Sequence, residues 1–130
     1  MIMSSIPVVT AMKNKHDRSN EGDAYNLLPP SLEKILPPLY ATEKNPVNKK
    51  TVYAKFFAPN TCWTWFVLEG SRQENGDFIF FGLVHGFEKE YGYFSLNELE
   101  SIGNSSPLLC YIERDLYFTP ALLSNCIESE

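Results

Sequence analysis

The run DFIFFGLVHGFE, from Asp77 to Glu88, constrains this chain more than any other stretch. Read with a period of two, Phe78, Phe80 and Val84 fall on one side and Ile79, Phe81 and Leu83 on the other, so both faces are apolar. A strand of this kind needs cover above and below. That predicts a central place in a sheet. Gly82 and Gly86 inside the run suggest a bulge or the close approach of another backbone.

The neighbouring text has the same period. In TVYAKFFAP, Val52, Ala54 and Phe56 alternate with Tyr53, Lys55 and Phe57; in TCWTWFVLEG, Trp63, Trp65 and Val67 alternate with Thr64, Phe66 and Leu68. APNT between them reads as a tight turn, so the two runs pair as a hairpin. Asn75-Gly76 is a strong turn signal before the Asp77 run. YGYFS is a fourth strand after a turn near Glu88 to Glu90. LLCYIERDLYFTP is strand-like from about Ile112 to Phe118, and Pro120 confines it to an end or an edge.

Two helices interrupt this pattern. Ser95 and Glu98 have capping-box spacing ahead of Leu96, Leu99 and Ile102, with Gly103 as the stop. In LLPPSLEKILPPLYATE, Pro30 or Ser31 can open a helix, Leu32, Ile35 and Leu36 recur at helical spacing, and Pro37 and Pro38 must end it. The paired prolines are therefore start and stop signals of one short helix, with Leu39 and Tyr40 expected to pin it to the core. Residues 1–24 read as a mobile tail that includes His16, residues 25–122 as one domain, and residues 123–130 as a frayed end. The expected fold is α+β: an antiparallel sheet of four or five strands, with the capped helix and the short proline-bracketed helix packed on it.

With 130 residues, 44% of them hydrophobic, the chain can bury one core. Its formal charge of -5 is unevenly placed. Residues 1–50 hold seven Lys/Arg against five Asp/Glu, whereas residues 51–130 hold four against eleven, a balance of -7. Phosphate binding needs cations, so the folded part is a poor generic nucleic-acid binder and suits a basic protein partner better. Mild acidity also serves solubility alone. Cys62, Cys110 and Cys126 have neither disulfide-framework nor zinc-site spacing, and no run approaches the roughly 18 apolar residues of a membrane span. Without a basic region before Ile2 and with Pro7 among the first apolar residues, no signal peptide is expected; the expected location is cytoplasmic.

LPPLYATE, KTVYAKFFAPNTCWTWFVLEG, FFGLVHGFEKEYGYFSLNELE and IERDLYFTP together resemble a small bacterial family known only as domain of unknown function 2958. The resemblance runs from about Leu36 to Pro120. Gly92 to Leu96 with Glu98 to Glu100, and Glu113 to Phe118, are its most specific stretches. It implies an accessory protein of plasmids, integrative elements or phages, in neighbourhoods concerned with conjugation or with blunting host defence. No catalytic residue comes with it.

Chemistry is sparse in the residues themselves. His85 could act as a general base or metal ligand near Glu88 and Glu90, but reads more simply as a strand-end histidine satisfied by one hydrogen bond. Glu113 and Asp115 could bind a cation or work as acid and base; more simply they face water or pair with cations. Arg114 is expected to be structural, against Glu98 or Glu100. No phosphate loop, nucleophile elbow or dinucleotide fingerprint is present, so no enzyme, metal or cofactor is expected, with a small hydrolase using His85 and the nearby glutamates as the third reading.

Of the two aromatic sets, Trp63 and Trp65 on one face and Tyr53, Phe57 and Phe66 on the other, one should be at least partly open and receive a partner. The expectation is a non-enzymatic interaction protein that binds a host or element-encoded protein, with inhibition of a CRISPR or restriction enzyme as one form. Glu69, Glu74, Asp77, Glu88 and Glu90 would then imitate DNA phosphates. The alternative is a single-strand nucleic-acid-binding factor that stacks bases on Trp63, Trp65 or Phe57 and draws cations from Lys49, Lys50 and Lys55.

Overall fold

The computed structural model describes residues 21–105 and 111–128. Residues 1–20 of the expected tail, His16 among them, lie outside these, as does Cys110. The chain folds as α+β around a five-stranded antiparallel sheet. Its middle strand is Thr64–Arg72 (β3), flanked by Ala54–Phe57 (β2) and Phe78–His85 (β4). Lys89–Ser95 (β5) lies outside β4, and Glu113–Arg114 (β6) outside β2.

The centre is therefore β3 and not the Asp77 run. Every residue from Thr64 to Gly70 is buried, whereas Ile79 and Phe81 of β4 are only half covered. The reason is unequal cover on the two faces. On one face, the 27–36 segment and the helix after Ser95 enclose Phe56, Trp65, Val67, Phe78, Phe80 and Phe94. On the other, a smaller cluster joins Val52, Phe66, Leu68 and Leu83 to Leu123 and Cys126.

That smaller cover comes from two departures from simple alternation. The first strand breaks at Tyr53: its N–H donates to the Val67 carbonyl (2.9 Å), although Ala54 is the ladder partner of Val67. The extra residue sends Val52 to the second cluster and Ala54 and Phe56 to the first, so they do not share a face. Thr51–Val52 (β1) pairs instead with Ala121–Leu122 (β7) in a separate two-stranded ribbon. The expected fraying from residue 123 is replaced by helix Leu123–Glu128, which buries Leu123 and Cys126. The seven-residue stretch from Ile112 to Phe118, expected as strand, also shrinks to β6. Asp115 turns the chain, its carboxylate accepting the Tyr117 N–H.

The short helix Pro30–Ile35 (α1) begins and ends at its prolines. Leu32 and Leu36 are buried, but Ile35 faces outward because so short a helix presents only a narrow stripe inward. After it the chain runs beside the end of β3: Gly70 N–H donates to the Pro37 carbonyl (2.9 Å) and Leu39 N–H to Ser71 Oγ (2.9 Å). Tyr40, 62% exposed with φ +73°, does not pin the segment. Glu69 does. A register shift between Val67 and Glu69 interrupts the β3–β4 ladder, and the 3%-exposed Glu69 carboxylate accepts the N–H groups of Tyr40 (2.7 Å) and Thr42 (3.0 Å) and the Thr42 hydroxyl. Buried Lys50 donates to the Thr42 carbonyl and hydroxyl, completing the network.

Helix Leu96–Ser105 (α2) starts at Ser95, whose Oγ accepts the Glu98 N–H (2.9 Å) while Glu98 Oε1 accepts the Ser95 N–H (3.1 Å). It continues through Gly103, which was expected to stop it; a glycine costs helix stability without forbidding the conformation. Arg114 meets neither Glu98 nor Glu100. Its guanidinium donates to the carbonyls of Asn26 (2.8 Å), Glu21 (2.7 Å) and Asp23 (3.4 Å), and its N–H to the Ala24 carbonyl (2.7 Å). Residues 21–24 are thereby tied to the sheet edge and belong to the domain. Partial burial lowers the pKa of Arg114, opposed by the charges of Glu21 and Asp23.

Removing the Glu69 carboxylate leaves two backbone donors and a hydroxyl without their acceptor. Glu69→Ala should lower stability by about 2–4 kcal/mol, read as a lower urea midpoint at unchanged slope. A loss under about 0.5 kcal/mol would show that water replaces the carboxylate.

Candidate functional site

The expected partner-binding residues separate into those the fold absorbs and those it leaves outside. Trp65 is 8% exposed and belongs to the first core cluster. Tyr53 is half-buried against that same cluster, so it does not join Phe57 on an opposite aromatic face. Phe57 is half-buried beside Thr64 and Glu113. Glu69 is internal, as described. Glu74 is exposed near the β3–β4 turn, in which Gly76 takes φ +92°.

Asp77 serves structure. Its Oδ1 accepts the N–H of Phe78 (2.7 Å) and that of Asn97 (3.1 Å) in the first turn of α2, where negative charge meets the positive end of the helix dipole. Desolvation pushes its pKa up, but these two bonds, a Ser95 contact and the Arg72 charge outweigh it and hold the carboxyl below its ordinary value.

Trp63, Glu88 and Glu90 do come together. They line a groove of about 330 Å³ at the end of the β4–β5 hairpin, with Val84, Phe87 and Tyr91 supplying further lining. Trp63 stacks on Trp65 (centroids 6.0 Å apart, 30° between planes), which fixes it to the core. Gly86 allows the indole to pack close against the backbone, since a Cβ there would run into the ring. Phe87 stands edge-on to Trp63 at 5.6 Å and is 90% exposed. Gly92 contributes open space: nothing lies within 4 Å of where its Cβ would be.

Phe87 is not among the candidate residues of the sequence, and Gly92 appears there only as the first residue of a stretch specific to the family resemblance. The signal was there for Phe87, a large apolar residue between Gly86 and Glu88 at a turn, where no strand neighbour can cover it. Nothing local marks Gly92 as lining a site, because a glycine opposite Gly82 is equally consistent with packing.

A second aromatic row crosses the other face of β4 and β5. Phe81 lies 6.2 Å from Tyr91 and 5.0 Å from Tyr93, and Tyr93 lies 6.2 Å from Tyr40. The Tyr40 hydrogen bond, then desolvation and the nearby acidic groups, raise the Tyr93 pKa; burial raises that of Tyr91. His85 is half-buried and pairs in the ladder with Thr64 and Lys89, which places its side chain with Lys89 on the face away from Glu90. Among the described residues no cluster of His, Cys, Asp and Glu could hold a metal, and no helix is long and apolar enough to cross a membrane.

A family model described as Protein of unknown function (DUF2958) matches residues 27–129. No curated protein and no solved structure matches the chain.

Two outcomes test this geometry. Gly86→Ala should displace the Trp63 indole and shift its fluorescence toward that of a more exposed tryptophan; an unchanged spectrum would place the ring elsewhere. Asp77→Ala should cost about 1 kcal/mol at neutral pH. Because the folded-state pKa of Asp77 is depressed, that difference should be fully present above the unfolded carboxyl value near pH 4 and disappear as pH falls through the lower folded value, as measured by chemical unfolding across pH.

Proposed function

The chain belongs to the family Protein of unknown function (DUF2958), and from that premise we propose that it is a non-enzymatic interaction protein that docks a basic protein partner on the end of the β4–β5 hairpin. The observation that carries this reading is Phe87, an almost fully exposed phenylalanine seated on a core-anchored tryptophan between exposed carboxylates. An aromatic left in water gains most by being covered, and an anchored aromatic ringed by charge has the composition of an interface hot spot. In the concrete form we favour, the partner is a host nucleic-acid-targeting enzyme, of the CRISPR or restriction kind, encountered by a protein of a mobile genetic element. Glu74, Glu88 and Glu90 then oppose a basic cleft; Glu69, buried, and Asp77, engaged by the backbone at the start of α2, take no part.

Placement of the cations weighs against the single-strand nucleic-acid alternative. Lys50 is buried in the Glu69 network, and Lys55 Nζ lies 5.9 Å from the Phe66 ring centroid, which leaves Lys49 as the exposed member of the three. Trp65, one of its stacking residues, is in the core.

Affinity capture from a host lysate, with and without nuclease and at low and high salt, tests the reading. A stoichiometric protein should survive nuclease, be released by salt, and be lost with the double substitution Glu88→Lys and Glu90→Lys. Capture that disappears with nuclease, or that ignores both charge reversals, would overturn it.

A further inference from the structure

We propose that the hairpin-end groove is a seat for one guanidinium group, the side chain of an arginine presented by the partner. The inference rests on the interaction reading and specifies what that surface recognises. At about 330 Å³ the groove sits at the lower end of the roughly 300–1,000 Å³ range of small-ligand sites, the scale of a single long side chain. Its chemistry is of two kinds. Trp63 and Phe87 supply aromatic surface, and Glu88 and Glu90 supply negative charge within the same lining.

A planar cation satisfies both, stacking on an aromatic face while donating N–H bonds to a carboxylate, and a guanidinium does so better than a compact, strongly hydrated ammonium. A neutral apolar side chain would leave the two carboxylates facing it without gain. An anion would meet repulsion from them and from the -7 balance of residues 51–130. Lys89 does not neutralise the seat: it pairs with His85 in the ladder, and alternation along β5 sends its side chain to the opposite face from Glu90.

The framework is already in place before any partner arrives. Stacking on Trp65 and the bare backbone of Gly86 hold the Trp63 indole, so little ordering is needed on binding. Gly92 keeps the seat open, because any larger residue at this strand position would project into free space beside the lining.

The two tryptophans of the chain give a direct readout, since each indole N–H has its own nuclear magnetic resonance signal. The labelled full chain is titrated with blocked arginine amide, and with blocked lysine amide and blocked citrulline amide, the latter a neutral isostere. Arginine should move the Trp63 signal saturably in the millimolar range and the Trp65 signal much less; citrulline should not move it, and lysine should bind about five- to tenfold more weakly. Phe87→Ala, at a site too exposed to affect folding, should weaken the arginine response about fivefold or more. Gly92→Ile should abolish it while the other amide signals remain dispersed.

Equal responses to arginine and citrulline, equal responses to arginine and lysine, or no Trp63 response at all would each overturn the seat. If the seat fails while a lysate protein is still captured through Glu88 and Glu90, the interaction reading stands without it; if the seat responds and no such protein is captured, the interaction reading fails alone.

Discussion

The buried carboxylate of Glu69 holds together parts of the chain that no sheet ladder joins. Taking a carboxylate out of water costs several kcal/mol unless its lone pairs are filled, and here two backbone N–H groups and a hydroxyl fill them. The donors all come from residues 40–42, so the segment after α1 is fixed against the end of β3 by polar contacts and not by apolar burial. Lys50 joins the same network through Thr42, and Leu123 N–H donates to the Lys50 carbonyl (2.9 Å) just ahead of the β1–β7 ribbon. The lead-in to the sheet and its C-terminal cover thus meet at one buried polar centre.

That arrangement explains the asymmetry of the two faces. The first cluster is built from large aromatics, with Phe80 in ring contact with Phe56, Phe78 and Phe94 under α1 and α2. The second is shut only over Val52, Phe66, Leu68 and Leu83, by a six-residue helix and a two-residue strand pair. Beyond that short cover the outer part of β4–β5 carries aromatics in the open: Tyr91 and Tyr93 beside half-buried Phe81 on one side, Phe87 at the tip. The docking surface proposed above is the tip, where carboxylates and aromatic surface coincide.

Much of this was legible in the chain. The turns at Asn60 and Gly76 follow from residues that accept positive φ, and both appear with it, at +66° and +92°. The Ser95–Glu98 pair and the prolines around α1 act over three or four residues, a range within which sequence and geometry are tightly coupled. Misplaced elements depended on longer-range partners. Two consecutive apolar faces marked the Asp77 run as central, but strand order is set by which strands pair, and β3 has the same two-sided pattern in TWFVL. Arg114 looked suited to a glutamate and instead took three carbonyls from a segment about ninety residues away, which no local rule connects to it.

The candidate site divides in the same way. By itself the sequence determined the α+β class, the hairpins, the helix ends and the acidic balance of the folded part, because periodicity, turn chemistry and charge belong to residues near one another or to no position at all. Tertiary structure alone decided which acids are functional candidates, burying Glu69, tying half-buried Asp77 to the start of α2 as a hydrogen-bond acceptor, and leaving Glu88 and Glu90 beside Trp63 and Phe87. The physical reason is that a carboxylate has the same charge whether it faces water or a buried N–H, and only the packing of distant segments determines which of the two it meets.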